Sequence, residues 1–269
     1  MLEKKIYHSK LRKIQPVARD TFVLHLENTE LSHNVSAGQF IEIKVPNCAE
    51  ILWRRPFSIH DAQPQDNLVY VLFNAVGRGT AVLTELPQDT NIEVLGPLGN
   101  HFVYDDNLAE ALIVAGGLGI APFMLMKREL EQRQIPMRLF YGVGTAEQFC
   151  GLEQFQSYAN IHLSTVDGSR GHHGMVSEAL IDYLEKNPDT ERKKLFVCGP
   201  TAMLRTIQHI AQEYDIPAQV SVETIMACGF GACVGCAVPM AHPIAGKKEY
   251  YLACKDGPVF DMNEIVIDD

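Results

Sequence analysis

Four cysteines, Cys228, Cys233, Cys236 and Cys254, are spaced C-x4-C-x2-C-x17-C. Thiolates at this spacing, three from one short loop and a distant fourth, are the pattern of a [2Fe–2S] site. The loop from Ala227 to Cys236 is otherwise small and glycine-rich. Bulky neighbours would block three thiolates from reaching one compact cluster. Gly229, Gly231 and Gly235 are expected to let the backbone turn and bring N–H groups near sulfur. A structural zinc site also uses four thiolates, and it stays open as an alternative. Zinc ribbons, however, pair one C-x2-C with a second, and here the fourth ligand stands alone.

Other residues suit phosphate. Arg54 and Arg55 precede Pro56, Phe57 and Ser58. A guanidinium donates two parallel hydrogen bonds and so fits a pyrophosphate, although paired arginines are commonly just a solvated surface. Gly77, Arg78, Gly79 and Thr80 open a helical pattern, where free N–H groups favour an anion. A plain capped helix start would look the same. Gly116, Gly117 and Gly119 follow an apolar strand and precede Pro122 and a helix. That is the setting of a nucleotide-binding βα turn, with a spacing that only approximates G-x-G-x-x-G. Cys198, Gly199 and Pro200 end another strand, where ligands bind in open α/β sheets. Cys198 could line a nicotinamide pocket or be a small buried hydrophobe.

These residues need three kinds of scaffold. Up to residue 104 the chain reads as β-rich, with strands expected at 21–26, 39–45, 68–73 and 91–95 and one helix at 79–86. From 105 to 219 apolar strands alternate with helices. Strands are expected at 110–115, 137–141, 161–166 and 194–198. Helices are expected at 123–132, near 146–150, at 175–185 and at 201–214. This alternation predicts a parallel sheet with covering helices. Residues 220–269 hold the cysteines and are too few for a large core, so the metal site is expected to staple them. The expected fold class is therefore multi-domain: a small β-barrel, an α/β parallel-sheet nucleotide domain and a small C-terminal domain holding the cysteines.

Composition narrows the partners. The chain has 269 residues, a formal charge of −10 and no basic tract, which argues against nucleic acid. No signal peptide is expected at the start. The longest apolar run, 111–126, is broken by glycines and Pro122 and falls short of the ~20 residues a membrane span needs. A cytoplasmic protein with no membrane partner is the simple expectation. Cys48, Cys150 and Cys198 are then free thiols.

The order Arg55-Pro56-Phe57-Ser58, Gly79-Thr80, Gly116 to Pro122 and Cys198-Gly199-Pro200 resembles the ferredoxin–NADP reductase superfamily. The stretches from Met226 to Cys236 and from Ala253 to Phe260 narrow the likeness. With them, nearly the whole chain resembles the electron-transfer subunits of dihydroorotate dehydrogenase B. The resemblance implies FAD at Arg55, Pro56, Phe57 and Ser58, at Leu72, Phe73 and Asn74, and at Gly79 and Thr80. It implies a nicotinamide nucleotide at Gly116, Gly117, Gly119, Cys198, Gly199 and Pro200. It implies Cys228, Cys233, Cys236 and Cys254 as [2Fe–2S] ligands.

The implied partner is an FMN-containing dihydroorotate dehydrogenase catalytic subunit, in a hetero-tetramer of two of each chain. The implied task, within pyrimidine biosynthesis, is electron relay to NAD through the cluster and FAD. Asn74 departs from the basic residue of many relatives, and Phe57 lacks the tyrosine hydroxyl of broader superfamily members. After the second α/β strand, Glu147 stands where a 2′-phosphate would need a cation, so NAD is favoured over NADP. No residue is nominated for acid–base chemistry. A diaphorase-type subunit of another iron–sulfur complex, or a zinc-stabilised nucleotide-binding protein, remains an alternative.

Overall fold

The computed structural model describes residues 4–48, 50–104, 107–243 and 248–267. Residue 105, where the second segment is expected to begin, and the extreme termini lie outside them. Six antiparallel strands close a barrel: β1 (Lys5–Ala18), β2 (Thr21–Glu27), β3 (Phe40–Ile43), β4 (Arg55–Gln63), β5 (Leu68–Asn74) and β6 (Asn91–Leu98). They run in the order β1-β2-β5-β4-β3-β6. Closure depends on β1, which the sequence did not announce. Its first half pairs with β6 and its second half with β2, with register shifts after Leu11 and Pro16. Such bulges bend a strand enough for it to serve two neighbours. Charged residues on its outer face hide its buried alternation of Tyr7, Ser9 and Leu11. Two short helices decorate the barrel, α1 (Thr29–His33) and α2 (Arg78–Thr84).

The second body is a sheet of β7 (Glu110–Gly116), β8 (Met137–Val143), β9 (Asn160–Thr165), β10 (His172–His173), β11 (Lys193–Cys198) and β12 (Ala218–Ser221). All of these pair in parallel. Helices α3 (Phe123–Gln132) and α4 (Leu152–Gln156) cover one face, α5 (Val176–Lys186) and α6 (Thr201–Glu213) the other. Strand alternation sorts the core. Ala111, Ile113 and Ala115 of β7 face α3 and the barrel side, while Leu112 and Val114 face α5 and α6. The helix expected near 146–150 is only a 3₁₀ turn, Ala146–Gln148, closed by a capping box with Thr145. Gly151, at φ 69°, then re-aims the chain into α4.

The C-terminal segment adds β13 (Ala237–Pro239), β14 (Tyr250–Leu252) and β15 (Val259–Asp261). The first two form a separate hairpin. β15 instead pairs antiparallel with β12, as the seventh strand of the large sheet. Its neighbours Phe260, Met262 and Ile265 join Val238, Leu252 and Cys254 in the same core as Val197, Ile207 and Val220. The segment therefore draws on the core of the large sheet. Asn100, just after the barrel, clamps it from the other side. Its side chain donates to the carbonyls of Asp256 and Val259 at 3.0 and 2.7 Å and accepts from the Val259 N–H at 2.9 Å.

Candidate functional site

The four cysteines meet at the loop. The Cys233 N–H donates to Cys228 Sγ at 3.4 Å, while Cys236 Sγ and Cys254 Sγ lie 3.3 Å apart. Among the described residues, no three His, Cys, Asp or Glu side chains converge on a point that one metal ion would fill. Four thiols at this spacing, with backbone N–H groups directed at Cys228 Sγ, fit a [2Fe–2S] cluster. Burial resists ionisation of Cys228, but N–H groups of Cys233, Phe230 and Ala232 outweigh it and bring the thiol down to about 6. Burial, and then the sulfurs of Cys236 and Cys228, push Cys254 up to about 12. Metal ligation requires thiolates and would relieve that crowding.

The loop's left-handed residues are only partly those expected. Gly229 is left-handed at φ 72°, but between Cys233 and Cys236 the left-handed residue is Val234, at φ 61°, rather than Gly235. That conformation costs a β-branched residue roughly 1–2 kcal/mol. At Gly229 there is a second constraint: a Cβ would come within 2.6 to 2.8 Å of the Glu42 carboxyl on β3. Glu42 is fully buried, and neither of its oxygens has a hydrogen-bond partner. Burial foremost, offset by Arg54 and reinforced by Cys228, raises its pKa to about 7.

A cavity of about 480 Å³ on the barrel is lined by Trp53, Arg55, Gly77, Arg78, Gly79 and Thr80, among others. Arg55 opens β4 and reaches Gly79, where a Cβ would lie 3.3 Å from its Nε. The Thr80 hydroxyl is engaged locally, accepting from the Gly77 N–H and donating to the Gly77 carbonyl, both at 3.0 Å. It thus serves as a cap. Pro56, Phe57 and Ser58 follow along β4, opposite Glu42, Ile41 and Phe40. The ring of Phe73 is buried edge-on against Phe57 at 5.7 Å, so only its backbone remains for a ligand. Leu72 lines a smaller polar cavity with His25, His60 and Arg128, apart from the Arg55 cavity.

A second cavity, of about 450 Å³, opens at the carboxyl ends of the parallel strands. It gathers Gly116, Gly117 and Pro200 with Tyr141, Met175 and Met203, and the barrel contributes Thr21 and Asn74. Thr21 Oγ1 donates to Asn74 Oδ1 at 2.9 Å, which fixes that amide. Gly117 faces open space, as a phosphate-approaching residue would. Gly119 has a different reason to be glycine. A Cβ there would lie 2.2 Å from the Cys198 carbonyl oxygen, so the two sequence motifs pack directly on each other. Gly199, at φ 156°, touches Gly116 in the same knot. Burial and then Glu223 push the Cys198 thiol well up, Ser221 offsetting only part. Cys198 is thus a buried, protonated thiol behind the cavity, and of Cys198, Gly199 and Pro200 only Pro200 lines it.

The sequence missed four contributors. Val166, just after β9, and Gly174, just after β10, line the nucleotide cavity without any motif to mark them. Arg170, between β9 and β10, brings its guanidinium to 5.8 Å from the Phe149 ring, near Glu147, where the charge argument counted no cation. Glu42 had no signal at all.

A six-stranded barrel carrying an arginine-lined cavity, a parallel sheet with a nucleotide cavity and a cysteine loop together define a ferredoxin-reductase-type oxidoreductase with an iron–sulfur module. Similarity to known proteins agrees. Residues 223–266 match the iron–sulfur cluster binding domain of dihydroorotate dehydrogenase B, and 113–209 the oxidoreductase NAD-binding domain. The dihydroorotate dehydrogenase B (NAD(+)) electron transfer subunit of Shouchella clausii is 33% identical, over 93% of this chain and 94% of its own. That of Desulforamulus reducens is 30% identical, over 97% and 98%. The chain belongs to this family of electron transfer subunits. A solved NADH-dependent reduced ferredoxin–NADP oxidoreductase, from work on flavin-based electron bifurcation, superposes with a TM-score of 0.85. The two are 26% identical, over 97% of this chain and 90% of that one.

Proposed function

We propose that this chain relays electrons between NAD and a separate FMN-bearing dihydroorotate dehydrogenase subunit, in pyrimidine biosynthesis. As a family member it is a flavin and iron–sulfur oxidoreductase subunit. Its cofactors are FAD, a [2Fe–2S] cluster and NAD, and it works with a catalytic-subunit partner. The observation that carries the reading is the barrel's place between the other two sites. Thr21 and Asn74 reach the nucleotide cavity, while Glu42, beside the Arg55 strand, meets the cysteine loop. When bound, FAD exchanges a hydride with NAD and single electrons with the cluster, chemistry that belongs to the cofactors.

The chain's residues hold and orient these groups. Arg55 supplies the charge-assisted grip on the FAD pyrophosphate, and Gly79 keeps the approach open. Pro56, Phe57 and Ser58 present β4 to the ring system, and Asn74 is held ready by Thr21. Gly116 and Gly117 offer backbone to the NAD pyrophosphate. Pro200 lines the wall beside them, with Cys198 and Gly199 packed behind it. Cys228, Cys233, Cys236 and Cys254 would hold the [2Fe–2S] cluster as thiolates. Cys233, Phe230 and Val234 are exposed on the loop, an apolar rim suited to a protein partner. In this reading the complex is cytoplasmic and contains two of each chain.

Reconstitution with the FMN-bearing subunit tests the reading, by following NAD reduction driven by dihydroorotate. The complex should turn over, and the isolated chain should reduce dyes with NADH yet leave dihydroorotate untouched. Dihydroorotate oxidation by the isolated chain would sink the relay. So would full turnover by a Cys233→Ser complex lacking the cluster.

A further inference from the structure

Glu42 lies on the short strand β3, between Ile41 and Ile43, whose side chains fill the barrel interior. Alternation therefore sends the Glu42 side chain out of the barrel. An outward position ordinarily keeps a carboxylate in water. Here the cysteine loop covers it, and Glu42 is left with 0% exposure. The contact is close, since the carboxyl occupies the space that a side chain at position 229 would need. A buried carboxylate without hydrogen bonds is costly. The nearest cation does not neutralise it by contact. Arg54 gives its Nη2 to Glu93, and its Nε is itself without a partner. Across the strands Glu42 stands opposite Pro56 of the flavin-side strand. A polar group thus sits in a dry seam, with the flavin strand on one side and the first cysteine ligand's loop on the other.

We propose that Glu42 is a positioning residue for the [2Fe–2S] centre, a buried carboxylate whose negative charge holds down the cluster's reduction potential from behind Gly229. Reduction adds one electron to the centre. A neighbouring anion opposes that added charge, and in a water-excluded seam the opposition is screened little. Glu42 thereby favours passing the electron on toward the flavin over retaining it. The inference rests on the ligand set proposed above.

The test is an EPR-monitored redox titration of the full holoprotein at pH 8.5. Wild type is compared with Glu42→Gln, which keeps shape and removes charge, and with Glu42→Asp, which keeps charge. Glu42→Gln should shift the cluster's equilibrium toward the reduced form by roughly tenfold, about 59 mV for one electron. The flavin's own titration should move less, and Glu42→Asp should stay closer to wild type. An unmoved cluster potential in Glu42→Gln would overturn the proposal. So would equal shifts in both variants, which would indicate packing rather than charge. Loss of the cluster from both variants would also overturn it, because Glu42 would then be holding the loop rather than tuning its centre. A wild-type protein without a [2Fe–2S] signal would instead bring down the ligand set itself.

Discussion

The nucleotide cavity and the cysteine loop are both built from glycines and small residues, but they are held in different ways. In the cavity, backbone rests on backbone. Gly119 lies against the Cys198 carbonyl, Gly199 against Gly116, and the strands beneath are buried on both faces. Nothing bound is needed to keep that shape. In the loop, Val234 is left-handed, Cys254 is crowded by neighbouring sulfurs, and the Glu42 carboxyl has no partner. The first two cost free energy that a bound metal group would help to offset; the third does not depend on it. One site is shaped by packing and waits for its ligand. The other is completed by the ligand.

The largest expected effect comes from removing iron, by chelation or by Cys254→Ser. Protection of residues 226–236 from amide hydrogen exchange should collapse, a local loss on the order of several kcal/mol. β15 should remain protected, because it is tied to β12 and the shared core. NADH-to-dye reduction should survive. Simultaneous melting of barrel, sheet and loop would erase the distinction between the two sites.

Next in size is Gly119→Ala. Its new methyl would meet a backbone carbonyl that cannot step aside, at a cost of about 3 kcal/mol. A lower melting temperature and weaker NADH binding are both expected. An indifferent variant would show that the cavity is as plastic as the loop.

Arg55→Ala should weaken FAD retention by roughly ten- to a hundredfold, the worth of a charge-assisted hydrogen bond. Titrating FAD into the apo-variant measures it, and unchanged affinity would remove Arg55 from the flavin site. The smallest effect is expected at Arg170. The wild-type chain should favour NADH over NADPH in kcat/KM. Arg170→Ala should leave NADH use nearly unchanged while eroding what NADPH use there is. A wild-type preference for NADPH, lost in that variant, would show that Arg170 overrules Glu147.

What the sequence made legible was local. Cys228, Cys233 and Cys236 lie in one loop, and each glycine motif lies in one turn, so their chemistry shows in a short window. The strand–helix alternation of the second domain was readable for the same reason. β1 escaped because it serves two neighbours through bulges and carries charge outside. Ile41-Glu42-Ile43 looks like any half-exposed strand, and only a loop far along the chain buries its middle residue. Gly119 was read for phosphate approach, whereas its tightest contact is with β11, a strand that no local pattern ties to it.

The pairing of β15 with β12 bears on how the chain is born. β12 leaves the ribosome before the cysteine loop, and β15 only after it. The nascent nucleotide domain must therefore carry an open sheet edge throughout synthesis of the loop. Unpaired edges template association with other chains. The interval in which metal must find its thiolates is also the interval in which the protein is most prone to stick to its neighbours. A chain cut after Asp256 would keep that edge open for good, and its aggregation beside the full-length chain would measure what the last strand protects.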